Sequence, residues 1–80
     1  MAVTNCPPGV WTDIPDTGGS MLLEARGTGF YVDTSGTKPA DPSEGYALAC
    51  MESMVIEAGI AVAVQPAQPV VPVRAYSNLV

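Results

Sequence analysis

The chain has 80 residues, of which 48% are hydrophobic and 14% charged, and its formal net charge is −5 at pH 7. This length allows one domain, and the hydrophobic content excludes disorder caused by low hydrophobicity and high charge. The three cations, Arg26, Lys38 and Arg74, are scattered, and the acidic balance excludes a nucleic-acid partner and disfavours an anionic membrane surface.

The first eight residues, MAVTNCPP, are apolar and contain two prolines. They lack the basic start and the apolar run of a secretory signal, so we expect a protein made in a cytosol. The segment predicts either a frayed terminus or an extended arm over residues 1–8 that lies on a neighbouring subunit. Residues 9–80 form the single folded domain of this prediction.

Glycine and proline, eight of each, divide the rest of the chain into short segments. The alternation of β-branched, aromatic and polar residues predicts strands over most of these segments. A polar loop with two prolines is predicted over residues 35–44, and Pro72 in the last strand suits a sheet edge or a bulge. The predicted strands cover residues 9–14, 20–26, 30–34, 45–49 and 70–76.

Residues 49–58 fit two interpretations. Apolar residues at helical spacing favour one short helix: Met51, Met54, Val55 and Ala58. The β-favouring run 54–56 and the turn residue Gly59 favour instead a hairpin with a strand over residues 60–64, which we prefer. The chain is therefore predicted to be all-β, a small β-sandwich or barrel of about six to eight short antiparallel strands.

The residues needed for common catalytic centres are missing from the sequence. It contains no histidine, so a Ser-His-Asp, a Cys-His or a histidine-metal site cannot form within one chain. Cys6 and Cys50 cannot complete a four-ligand zinc site, and we expect buried free thiols, with a disulfide as the alternative. A strand follows the turn 27–29 where a dinucleotide-binding loop requires a helix. We assign no catalytic, cofactor-binding or metal-binding residue.

The acidic residues in and next to the polar segment are candidate calcium ligands. Asp33, Asp41 and Glu44 do not have the spacing of a calcium-binding loop, and the prolines stiffen the segment. We interpret these carboxylates as solvated charges on an exposed loop.

Few charges are present to cover the surface of so small a domain, which predicts apolar contact with other chains, first of all self-association. We expect Trp11 and Phe30 in the core, although Trp11 is also a candidate for an interface. Tyrosines that alternate with core residues should reach a surface, where a ring with a polar tip is favoured. The candidate interface residues are Val3, Pro7, Pro8, Trp11, Tyr31, Tyr46, Val71 and Tyr76.

The order of several segments carries a family resemblance: GVWTDI (9–14), GFYVDT (29–34), KPAD (38–41), EGYAL (44–48) and PVRAYS (72–77). Over residues 9–77 the chain resembles the small β-sandwich structural proteins of tailed bacteriophages. The resemblance implies a virion protein assembled in the host cytoplasm, most typically a capsid decoration (cement) subunit that binds the major capsid protein. It also implies a homo-oligomer, with a trimer as the expected form, and no catalytic residue.

Other functions remain open at this point. A tail or fibre accessory component of the same fold is the nearest alternative to a head subunit. A small carbohydrate- or receptor-binding module would require exposed aromatic rings along a shallow groove. An enzyme would require a site shared among several chains at an oligomer axis.

Overall fold

Eight short strands make up most of the regular structure of residues 2–80, which are the residues that the computed structural model describes. A single turn of 3₁₀ helix, Pro42–Glu44, lies between the fifth strand and the loop that precedes it. The strands are β1 (Ala2–Cys6), β2 (Thr12–Asp13), β3 (Met21–Arg26), β4 (Phe30–Asp33), β5 (Tyr46–Leu48), β6 (Ser53–Ile56), β7 (Ala63–Pro66) and β8 (Val73–Leu79).

The strands form two four-stranded antiparallel sheets. Sheet I has the order β1-β8-β3-β6 and sheet II the order β2-β7-β4-β5. The prediction of an all-β fold is confirmed, and of the two predicted architectures the structure is a small β-sandwich. The connection between β4 and β5 stays within a sheet, whereas the other six connections between described strands cross from one sheet to the other.

The core lies between the inner faces of the two sheets, and period-two alternation fills it. Met21, Leu23 and Ala25 of β3 are buried, as the sequence pattern predicts, while Leu22 and Glu24 between them are half-buried on the outer face. Phe30 is also in the core, as predicted. The remaining apolar core residues include Cys6, Ile14, Val32, Leu48, Ile56, Val62, Val64, Val73 and Ala75.

The predicted hairpin between residues 49 and 64 is wrong in its pairing. Both strands form, as β6 and β7, but β6 pairs with β3 in sheet I and β7 pairs with β2 and β4 in sheet II. The glycine turn at Gly59 (φ +83°) serves a crossing between sheets. The alternative is wrong too, because the described residues 49–58 contain no helical turn.

The prediction that the N-terminal segment is an arm lying on a neighbouring subunit is wrong for residues 2–6. Met1 lies outside the described residues. Residues 2–6 form β1 and pair with β8 of the same chain, from Ala2 opposite Ser77 to Cys6 opposite Val73. The strand adds to a sheet edge, as proposed for the arm, but the edge belongs to its own domain. Burial of Cys6 against the core fixes this arrangement, so residues 2–6 belong to the folded domain.

Prolines set the limits of two strands differently from the prediction. The strand predicted over residues 9–14 shrinks to Thr12–Asp13, since Pro8 and Pro15 flank it and Gly9 takes a left-handed conformation (φ +81°). The last strand begins at Val73, immediately after Pro72, and continues to Leu79. Pro72 therefore lies outside the ladder and removes no hydrogen bond from it.

Candidate functional site

The eight candidate interface residues do not form one continuous patch. Val3 and Tyr76 lie directly opposite each other on the outer face of sheet I. Pro7 and Val71 lie in the segments next to the ends of β1 and β8, and Pro8 is half-buried in the connection that follows β1. The other three are on the side of sheet II: Trp11 immediately precedes β2, Tyr31 lies on β4 and Tyr46 lies on β5.

On the outer face of sheet I, side chains from three strands form a small regular array. Directly opposite partners in an antiparallel pair share a face, so the register gives two neighbouring rows. One row is Asn5, Arg74 and Arg26, and the other is Val3, Tyr76 and Glu24. Two of the three cations of the chain are thus placed side by side, a juxtaposition that no local sequence pattern predicts.

Both arginines approach the aromatic ring of Tyr76, which belongs to the neighbouring row. The guanidinium carbon of Arg26 is 5.0 Å from the ring centroid and that of Arg74 is 5.9 Å away. Both distances are within the range of a cation–π contact. The Arg26 Nη2 atom also pairs with Glu24 Oε2 at 3.0 Å. Tyr76 is therefore engaged with charged neighbours in addition to contacting β1.

Next to this array there is an open cleft of about 480 Å³. It lies at the edge of sheet I where β1 and β3 end and β8 begins. Arg26 and Arg74 line it together with Asn5, and its walls are largely apolar. The other lining residues are Cys6, Pro7, Gly27, Pro72 and Val73. The cleft combines a hydrophobic wall with a few convergent polar groups, as small-ligand sites do.

The long loop after β4 is organised by the carboxylate of Asp33. This carboxylate accepts hydrogen bonds from the Ser35 hydroxyl at 2.6 Å, the Ser35 amide at 3.1 Å and the Lys38 amide at 2.9 Å. These bonds, led by that of the Ser35 hydroxyl, lower the pKa of Asp33 although its burial acts in the opposite direction. The prediction of a solvated charge is wrong for Asp33, which is buried.

Asp41 has the role of a cap in the same loop. Its side chain accepts from the Ser43 hydroxyl at 2.7 Å and from the Ser43 amide at 3.1 Å at the start of the 3₁₀ turn. The Ser43 contacts lower the pKa of Asp41. Asp41 and Glu44 are exposed, as predicted.

Trp11 joins this loop to sheet II. Its indole Nε1 donates to the backbone oxygen of Pro39 at 3.0 Å, and nearby Lys38 pairs with Asp13 at 2.9 Å. Trp11 is half-buried, so it is neither a core residue nor a free ring. Tyr31 is half-buried on the outer face of sheet II opposite Ala47, and Tyr46 on β5 is 61% exposed. Of the aromatic residues, Tyr46 is the most accessible to a partner.

The edges of both sheets are nearly free of charge. The edge strands β1, β6, β2 and β5 have the sequences AVTNC, SMVI, TD and YAL, in which Asp13 is the one charged residue. Natural edge strands commonly carry charges, prolines or bulges that prevent pairing with another chain. Apart from Asp13 these edges lack such charges, and they are therefore candidate interaction sites.

Several exposed apolar residues are not among the predicted interface candidates. Val55 on β6 is 58% exposed on the outer face of sheet I, and Met51, Ile60 and Leu79 are also exposed. A period-two reading of the run 53–56 would have found Val55, since Met54 and Ile56 point inward. Met51 gives no such signal, because it lies in a turn with a left-handed backbone (φ +72°).

The two cysteines are free thiols in different environments. Cys6 is buried, and its burial raises the pKa of the thiol. The prediction of a buried free thiol is correct for Cys6 but wrong for Cys50, which is exposed in the turn before β6.

Residues 2–80 contain no group of three or more cysteine, aspartate or glutamate side chains arranged to hold a metal ion. Over the same residues, no helix has the length and apolar character needed to cross a bilayer.

Comparisons of the chain with protein-family models, curated proteins and solved structures find no match in any of the three.

Proposed function

We propose that the chain is a non-enzymatic virion structural protein, a capsid decoration (cement) subunit that binds and stabilises the head lattice of a tailed bacteriophage. The observation that carries the proposal is the lack of charge along the sheet edges, where Asp13 alone is charged. Unpaired backbone groups on such edges can accept a strand from another chain. The resemblance of residues 9–77 to small phage structural proteins is the reason for proposing that the partner chains are those of a phage virion.

The edges of sheet I are the best suited for self-association. They are β1 with five residues and β6 with four, and each presents an exposed valine, Val3 or Val55. A contact between β6 of one copy and β1 of the next is heterologous, and such contacts close into a ring when the rotation between copies fits. A closed ring of three copies is the form that we propose.

Decoration of a lattice requires only modest affinity from each copy. The capsid repeats its surface, so a trimer that engages several sites gains avidity beyond that of a single contact. Binding in this way uses exposed apolar side chains, such as Tyr46 and Val55, and requires no reactive group. The major capsid protein is the proposed partner.

The first experiment measures the mass of the purified chain by size-exclusion chromatography with light scattering. We expect the wild type to be oligomeric, and Val3→Lys and Val55→Lys to be monomeric because a lysine blocks each edge of sheet I. The matched control is Val70→Lys, which adds the same charge at a loop residue that is 79% exposed and lies outside the strands. A wild type that stays monomeric at every concentration contradicts self-association.

The second experiment is quantitative mass spectrometry of phage particles purified from the strain that encodes the chain. A copy number similar to that of the major capsid protein supports the head assignment. A much lower copy number assigns the chain to the tail or a fibre, and absence from the particles refutes a virion role. Binding to particles should also weaken in the Val55→Lys variant.

A further inference from the structure

The two arginines of sheet I form an unusual pair. Arg26 on β3 and Arg74 on β8 are register partners, so their side chains leave the same face of the sheet directly opposite each other. Like charges in this position destabilise a sheet. The chain has only three cations and a net charge of −5, so a surplus of basic residues does not explain the arrangement.

The charge of this pair is only partly balanced by the rest of the chain. Glu24 pairs with Arg26, whereas Arg74 has no ion pair within residues 2–80. The Nε atom of Arg26 is buried without a hydrogen-bond partner, and its Nη1 atom donates to the sulfur of Met51 at 3.1 Å. A thioether is a weak acceptor, so this contact leaves the guanidinium undersatisfied.

Met51, which contacts Arg26, has an unusual backbone conformation. Met51 has φ +72°, which residues with a Cβ atom rarely adopt, and its amide is held by the Ala25 carbonyl at 2.9 Å. Strained residues of this kind concentrate at functional sites. The sulfur of Met51 is a weak acceptor for Arg26, and a stronger acceptor can replace it.

The cleft described above begins at the same two arginines. Its apolar wall includes Pro7, Pro72 and Val73, and Asn5 offers an additional polar side chain beside Arg74. A carboxylate is the group that guanidinium side chains recognise best, through two parallel hydrogen bonds. The wall next to them suits a short apolar body attached to that carboxylate.

We propose that Arg26 and Arg74 bind the carboxylate of a ligand whose short apolar body lies in the cleft between the ends of β1, β3 and β8. The ligand supplies the second negative charge that the arginine pair lacks. This site goes beyond the proposed virion role and does not depend on it.

The test is an NMR titration of the ¹⁵N-labelled full chain with N-acetyl-leucine, and separately with the uncharged N-acetyl-leucine amide and with inorganic phosphate. We expect saturable shifts of the Gly27 and Val73 amides with N-acetyl-leucine, with a Kd on the order of millimolar for so small a probe. The amide derivative should produce no saturable shift. Arg74→Gln should weaken binding about tenfold or more, since a charge-assisted bond is lost.

The matched control is Lys38→Gln, which removes the same charge at the opposite sheet and should bind like the wild type. Arg74→Lys keeps the charge without the planar fork and should bind several-fold more weakly than the wild type, so it serves as the test if Arg74→Gln does not fold. The proposal is refuted by an absence of saturable shifts, by an equal response to the amide, or by equal losses in Lys38→Gln and Arg74→Gln. Binding of phosphate in place of N-acetyl-leucine also refutes it.

Discussion

Gly29 packs directly against the backbone of Leu48, and a Cβ atom at position 29 would lie 2.6 Å from the Leu48 carbonyl oxygen. Gly29 precedes β4, and Leu48 is the last residue of β5, its partner strand. This close approach allows Phe30 to pair with Leu48 at the end of the sheet. Gly29 also has φ +89°, so glycine is required there for two independent reasons.

We expect Gly29→Ala to destabilise the fold by more than about 3 kcal/mol, since it combines left-handed strain with a clash against backbone. The control is Gly36→Ala, where φ is +81° but a Cβ atom meets no other atom within 4 Å. This variant should lose about 1–2 kcal/mol from strain alone. Urea unfolding followed by circular dichroism measures both, and equal losses would show that the contact with Leu48 has no effect.

Leu22 and Leu23 are neighbours on β3 that face opposite sides of sheet I. Leu23 is 0% exposed, so Leu23→Ala should cost about 2–5 kcal/mol by removing core contacts and leaving a cavity. A small domain has about 3–5 kcal/mol in total, so this variant should be largely unfolded. Leu22→Ala on the half-buried outer face should cost about 1 kcal/mol. Similar unfolding midpoints for the two variants would contradict the facing of β3.

The hydrogen bonds to Asp33 make stability depend on pH. Because its pKa is lower in the folded chain than the ordinary value of 3.8, the carboxylate contributes stability above that value. The contribution is lost as the pH falls through the folded-state pKa. Urea unfolding between pH 6 and pH values below 3.8 should show a smaller loss of stability in Asp33→Asn than in the wild type. An unchanged pH profile would mean that the Ser35 and Lys38 contacts do not favour the charged form.

The thiols should differ strongly in reactivity. Cys50 is exposed and should react rapidly with Ellman's reagent, whereas Cys6 is buried and its raised pKa keeps the reactive thiolate scarce. We therefore expect one fast thiol per native chain and two after unfolding in denaturant. Cys50→Ser should abolish the fast reaction, and Cys6→Ser should leave it unchanged. Two fast thiols, or none, would contradict the burial of Cys6.

The sequence predicts those features of the fold that depend on local pattern. Period-two alternation identifies β3 and the burial of Leu23, and the prolines and glycines mark most strand boundaries. The pattern does not specify pairing partners. Gly59 permits a hairpin and a crossing between sheets equally well, so the sequence favours a pairing of β6 with β7 although they lie in opposite sheets.

The candidate site could be predicted only in part. Val3 and Tyr76 were named as interface residues, but their direct opposition depends on a register between strands at opposite ends of the sequence. The juxtaposition of Arg26 and Arg74 has the same origin, since no local pattern connects two arginines separated by 47 intervening residues. The buried role of Asp33 follows from loop hydrogen bonds whose geometry the composition of the segment does not specify.

The position of β8 between β1 and β3 has a consequence for biosynthesis. Sheet I cannot close until residues 73–79 have left the ribosome, because both β1 and β3 require β8 as a hydrogen-bonding neighbour. Before β8 emerges, β1 has no strand to pair with, and β3 can pair only with β6. Folding of this domain is therefore expected to complete only once residues 73–79 have emerged, and nascent chains that lack β8 are the species that chaperones must shield from one another.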